Sequence, residues 1–309
     1  MDILGGYVVF VCGNVHSLTI SQPPSPPHIH IPQTPDDQVL VLPAYNGMNY
    51  DAEEREILKI ITRNHNVVVG VKDWKYEMRR NAQAIQPFFY LGPSSATRDL
   101  DFLRREGITM LLVIRNTMTA AASLLSGDRV ARELGIQAAA VDVAGNQELI
   151  AAFPRACKII NDHLISQFRQ GIANGTVHAG SVTTPGKVLI FCESGNERSA
   201  AVAAAYLMNM FGLDLIAAIQ YVQSQRFCVA FDDGLKNLLL NYEELLSAQR
   251  CVSAATTTRQ VTSIPNQPKP KRRRGDDSDD EMNMSFDSAD DERFAGRGGF
   301  VPFQDTEPS

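Results

Sequence analysis

The sequence predicts an α/β fold, and three stretches carry that expectation. Ile108 to Ile114 is a continuous apolar run, the pattern of a strand buried on both faces. Gln147 to Phe168 has helical periodicity, with Ile150, Phe153, Cys157, Ile160 and Leu164 on one side. Between Val188 and Phe211 a short apolar run ends at Cys192, a loop containing Gly195 follows, and an alanine-rich segment opens at Arg198. That last order reads as a strand feeding a tight loop onto a helix N-terminus. Strands alternating with helices, and helices gathered at the end, give one domain of roughly 170 residues, enough to bury a full core.

In chain order, Ile3 to Cys12 is apolar but carries Asp2 in place of a basic leader and is too short to span a bilayer. Ser21 to Pro35 is rich in Pro, Ser and His and is expected to be an extended linker; its alternating His28 and His30 are weak metal candidates. Residues 1–50 are therefore assigned to a poorly defined extension. A helix is expected near Asp51 to Thr62, with Asp51 as N-cap, Glu54 closing a capping box and Ile57, Leu58, Ile60 and Ile61 as apolar face. It is read as an appendage, within residues 51–71, to a main domain of 72–250.

In that domain Phe88 to Pro93 reads as a strand ended by a Gly-Pro turn. A helix Ser95 to Glu106 is stopped by Gly107, and a short one, Val130 to Leu134, by Gly135. Ile136 to Val143 is a further strand, and Gly171 to Gly186 a Gly/Ser/Thr loop. Helices follow at Ser199 to Phe211, Leu215 to Gln225 and Asp233 to about Ala248, the last with Leu235, Leu238, Leu239, Tyr242 and Leu245 as core face. From Val252 periodicity fails, so 251–309 is read as a disordered tail. Within it Lys269 to Arg274 has the composition of a nuclear import signal, and Ser278 and Ser288 precede acidic runs as phosphorylation sites do.

Five cysteines without a CxxC spacing suggest neither a disulfide framework nor a zinc site and fit a reducing compartment. Cys157, Cys228 and Cys251 are expected as small core residues. The net charge of −6 argues against a general nucleic-acid binder. No cofactor or metal is implied.

The chemistry concentrates at Cys192-Glu193-Ser194-Gly195-Asn196-Glu197-Arg198-Ser199. Backbone N–H groups of such a loop converge, and the helix dipole adds to them, so the concavity favours an oxyanion. The same donors favour a thiolate at its floor. The phosphate-binding set is thus Glu193, Ser194, Gly195, Asn196, Glu197 and Arg198, mainly through backbone, with the Arg198 fork as clamp.

Cys-x5-Arg-Ser with a central glycine resembles the signature loop of cysteine-dependent protein phosphatases. Asp73 to Arg80, Tyr90-Leu91-Gly92-Pro93-Ser94-Ser95-Ala96, Glu106 to Thr109, Ile114-Arg115 and Tyr221 to Cys228 extend the resemblance to dual-specificity phosphatase domains. The phosphatase-like pseudoenzymes of that family are the most similar. The resemblance runs from about residue 72 to 247 and implies a central twisted sheet flanked by helices, with the loop after a middle strand. Cys192 is then the nucleophile, Arg198 the clamp on phosphate and transition state, and Ser199 the stabiliser of the thiolate. In a pseudoenzyme of that kind the cysteine position is itself replaced, whereas Cys192 is retained here.

Three departures matter. Active members carry histidine before the cysteine, where this chain has Phe191. Their general-acid aspartate falls on Gly145, leaving Asp142 as the nearest carboxylate. The loop also carries Glu193 and Glu197, whose charges oppose a thiolate and a phosphate. Losing a general acid typically costs about 10²–10⁴ in rate, so the missing acid together with the missing histidine is the heavier defect. Two function classes follow. One is a phosphatase-like regulator that binds phosphorylated proteins such as signalling kinases, in cytoplasm and nucleus, without nucleic acid or membrane. The other is a working phosphatase acting through a cysteinyl-phosphate. Phosphoinositide and RNA 5′-phosphate substrates favour basic surroundings, which the two glutamates contradict.

Overall fold

The computed structural model describes residues 25–33, 39–47, 50–63, 66–68, 74–122, 124–177 and 186–261. The run Ile3 to Cys12, Asp73, residues 178–185 of the Gly/Ser/Thr loop, the block Lys269 to Arg274, Ser278 and Ser288 lie outside them. The chain divides into two units, Met1–Gln260 and Val261–Ser309, and only the first is described beyond a single residue.

The elements of the first unit run β1 (Val39–Val41), α1 (Ala52–Ile61), β2 (Asn66–Val68), β3 (Gln83–Gln86), β4 (Phe89–Pro93), α2 (Leu100–Glu106), β5 (Met110–Asn116) and α3 (Thr117–Ala121). They continue with α4 (Asp128–Leu134), β6 (Gln137–Val143), α5 (Leu149–Ala173), β7 (Val188–Cys192), α6 (Arg198–Phe211), α7 (Leu215–Gln225) and α8 (Asp233–Val261). β1 and β2 pair antiparallel as a separate ribbon. The main sheet has five strands in the order β3-β4-β7-β5-β6. All its pairings are parallel except β3 with β4. β7 is central, so the chain leaves it for the signature loop in the middle of the sheet edge.

The apolar run of β7 is buried at every position because both faces of the sheet are covered. Val188 and Ile190 point into the larger core, which holds α5 to α8. Leu189 and Phe191 point into the smaller one, with Leu103 of α2 and Val130 and Ala131 of α4. α6 reads as almost pure alanine and apolar residues because it lies inside: from Ser199 to Met208 each residue is buried.

Chain punctuation behaves as its chemistry requires. Asp51 accepts from the Glu54 N–H at 2.8 Å, and Gly107 ends α2 in the left-handed region with φ of 70°. The segment expected as one helix from Ser95 divides into a 3-10 turn, Ser94–Arg98, and α2 with its own N-cap, Asp99.

Several expectations change. α1 is no appendage: Ile57, Leu58 and Ile61 belong to the larger core, each burial worth roughly 1.5–3 kcal/mol. The Pro-rich segment is extended but docked, with Ile29 and Ile31 against the same core. α8 continues past Ala248 to Val261, and among its described side chains the last buried one is Leu246, with Leu245 turned outward. Cys157 is buried as expected, but Cys228 is half-buried and Cys251 exposed. β3 precedes β4 where Ala84 between the polar Gln83 and Gln86 gave no strand pattern.

Candidate active site

The loop from Cys192 to Arg198 joins β7 to α6 and is shaped by its carbonyls. Glu193 O accepts from Ser94 N at 3.3 Å and Ser94 Oγ at 3.2 Å. Ser194 O and Gly195 O accept from the Arg226 guanidinium at 3.4 and 3.1 Å, and Asn196 O accepts from Ala230 N at 2.9 Å. Four consecutive carbonyls are therefore tied to groups outside the loop. In a trans peptide the N–H points opposite its carbonyl, so the amides of residues 194–197 turn away from those anchors, that of Gly195 onto the Cys192 sulfur and that of Asn196 onto Ser194 Oγ at 3.2 Å. That is the physical content of an anion cradle.

Cys192 sits at its floor, 3% exposed. Two donors converge on its sulfur: the Gly195 N–H at 3.2 Å and the Ser199 hydroxyl at 3.0 Å. Gly195 must be glycine for two reasons. Its φ is 74°, and a Cβ there would lie 2.3 Å from the Gly92 carbonyl carbon and 2.5 Å from Pro93 N. The register explains the collision, because Gly92 and Pro93 pair with Phe191 and Cys192 across β4 and β7.

The remaining expected residues separate by exposure. Glu193, Ser194 and Glu197 are exposed, Asn196 and Arg198 half-exposed, and Ser199 fully buried. Arg198 is the first residue of α6, directly after the loop. Both glutamates face solvent, where water and salt weaken their effect on the sulfur. Phe191 is buried in the smaller core and offers no hydrogen bond to the loop.

The acid position is equally definite. Gly145 is extended, and a Cβ built on it meets nothing within 4 Å. Asp142 is engaged by Arg115, whose Nε donates at 2.7 Å. Its role is to tie β6 to β5, and the adjoining turn is fixed by Asn116 Nδ2 on Ala144 O at 2.9 Å and Ala144 N on Glu148 Oε2 at 2.7 Å. Among the described residues no cluster of His, Cys, Asp or Glu is placed to hold a metal ion, and no helix is long and apolar enough to cross a membrane.

The residue that sequence reasoning missed is Arg226. It is wholly buried, and besides the two loop carbonyls it donates to Asn81 O and Arg79 O at 2.8 Å, to Asn196 Oδ1 at 3.0 Å and to Gln83 Oε1. Every N–H of the fork is used. Burial lowers the Arg226 guanidinium from its ordinary value, while the neighbouring Cys228 and Cys192 act to raise it. The signal lay in an arginine set against Phe227, Cys228 and Val229, a charge in an apolar stretch with no carboxylate beside it.

The model of the dual specificity phosphatase catalytic domain matches residues 89–245, from β4 into α8. The chain is 32% identical over 182 residues to serine/threonine/tyrosine-interacting protein A of Xenopus laevis, covering 58% of this chain and 71% of that protein. It is 43% identical over 72 residues to human dual specificity phosphatase 28, covering 23% of this chain and 41% of the relative. Among solved structures, the human tyrosine phosphatase-like serine/threonine/tyrosine-interacting protein aligns with a TM-score of 0.40 and 28% identity, over 54% of this chain and 97% of that one. With a cysteine held under two donors at the end of the central strand, and a family match extending from β4 into α8, the chain belongs to the dual specificity phosphatase family.

Proposed function

We propose that the cradle serves chiefly to bind phosphorylated residues of partner proteins, signalling kinases among them, with at most slow hydrolysis. The observation that carries this reading is the contrast between an ordered cradle and an empty acid position. The loop carbonyls are anchored and Cys192 has two donors, whereas Gly145 offers no proton and Asp142 is held by Arg115. Backbone amides and Arg198 bind a phosphate dianion without any general acid. Protonating an alkoxide leaving group does require one. The reading places the chain in cytoplasm and nucleus. Its test is binding of a phosphopeptide to the purified chain: Arg198→Ala should weaken the complex strongly, and equal binding by the variant would sink it.

A second reading, a working phosphatase, is supported by the Ser199 hydroxyl on the Cys192 sulfur at 3.0 Å. The Cys192 thiolate would attack phosphorus, forming S–P as the P–O bond to the leaving group breaks. Arg198 and the loop amides would hold the equatorial oxygens. Water would then cleave S–P to inorganic phosphate, with Ser199 donating to the departing thiolate. An aryl phosphate releases a stable phenolate and needs no acid, so turnover should appear there first. Identical rates for wild type and Cys192→Ser on such a substrate exclude it.

A further inference from the structure

We propose that the face formed by α7 and the first turns of α8 is a second peptide-binding surface, separate from the phosphate cradle. Its occupant would be an extended, proline-flanked segment with β-branched residues two apart. The chain's own residues 27–33 would be the resident copy of that ligand, displaceable by a segment of the same chemistry on a partner protein.

The contacts themselves argue for a peptide site. Ile29 and Ile31 alternate inward against the core, while His28, His30 and Pro32 remain exposed. Three side chains reach the main-chain carbonyls of the segment. Asn237 Nδ2 donates to Pro27 O at 2.7 Å, Lys236 Nζ to Ile29 O at 2.9 Å and Gln220 Nε2 to Pro32 O at 2.8 Å. The donors thus lie on the helices and the acceptors on the segment. This mode suits proline-rich chains, which lack N–H groups at their prolines and are stiffened into extended form, so little entropy is lost on docking. Carbonyl readout is tolerant of sequence, and selectivity comes from the two isoleucine positions and from Asp233. That carboxylate meets His28 Nδ1 at 3.0 Å, and hydrogen bonds from Lys236 and His28 pull it down to about 2. A basic or imidazole side chain one residue before the first apolar anchor is therefore preferred.

The surface also adjoins the machinery of the cradle along the chain. Asp232 caps α8 through Leu235 N at 2.7 Å, and two residues earlier Ala230 N holds Asn196 O. Occupancy of the helix face and order of the loop thus share one short connection.

The test uses the full chain and a fluorescent peptide of residues 25–33. In the Ile29→Asp, Ile31→Asp chain the resident segment no longer fills the surface, and the peptide should bind about tenfold tighter than to wild type, where it competes with a tethered copy. Adding Lys236→Ala and Asn237→Ala to that background should weaken binding about tenfold, as two lost hydrogen bonds of roughly 0.7 kcal/mol each imply. Absence of binding to the emptied surface, in a variant that still melts cooperatively, overturns the proposal. Should the aspartate variant fail to fold, amide exchange on wild type decides. Millimolar peptide should speed exchange at residues 28–31 while α7 stays protected, and unchanged exchange overturns the proposal equally.

Discussion

The two ends of the central sheet are fastened by opposite means. At the base, where β5, β6 and β7 begin, neutral side chains close on one another. His163 of α5 meets Thr109 Oγ1 at 2.7 Å and Gln137 Oε1 at 2.9 Å, and Thr109 Oγ1 accepts from Lys187 N at 2.9 Å. The imidazole has a partner on each ring nitrogen, and burial pushes it down to about 4. At the other end one cation, Arg226, gathers carbonyls from two separate segments and turns the loop amides away from them. The base thus holds neutral groups paired with one another, while at the top the anchored carbonyls leave loop amides as donors. A fold can be pinned by either device, but only the second turns a run of backbone donors towards an anion.

The strongest way to break that contrast is to remove the cation. Arg226→Met keeps much of the volume yet strands several buried carbonyls, and should cost about 3–5 kcal/mol in urea unfolding together with most of the phosphate affinity. A loss under about 1 kcal/mol would mean the loop is held by other contacts. The base should instead reveal itself through pH. His163 titrates near 4 folded and 6.5 unfolded, so the unfolded chain binds more protons between those values. The stability it contributes is whole above pH 6.5 and is lost as pH falls towards 4, by about 3 kcal/mol. His163→Gln should flatten this part of the stability curve, and an unchanged slope would assign the titration elsewhere.

Smaller effects sharpen the top end. Gly145→Asp enters open space, so the fold should tolerate it. If the pocket is otherwise competent, alkyl phosphate turnover should rise by about 10²-fold while aryl phosphate turnover barely changes. No gain on alkyl phosphates leaves only the binding role. The smallest shift is expected for Glu193→Gln with Glu197→Ser. Both side chains are exposed, so vanadate affinity should change less than about threefold and only at low salt. A tenfold gain would show that the glutamates turn inward when an anion is bound.

The strand, loop and helix around Cys192 were legible in the sequence because each depends on neighbours in the chain. An apolar run buries itself, a glycine permits φ of 74° and an alanine-rich segment after Arg198 coils. The helix stops at Gly107 and Gly135 were local in the same sense, each in the left-handed region. What lay beyond reach depended on partners far along the chain. Gln83, Ala84 and Gln86 become a strand only because β4 offers them an edge. The Pro-rich segment reads as a linker until α7 and α8 present donors at its carbonyls more than 180 residues away. Arg226 was missed because its acceptors come from residues 79–83 and 194–196. Periodicity and punctuation record what a residue does to its own backbone. Which distant carbonyls a buried cation will collect is set only when the sheet brings those segments together.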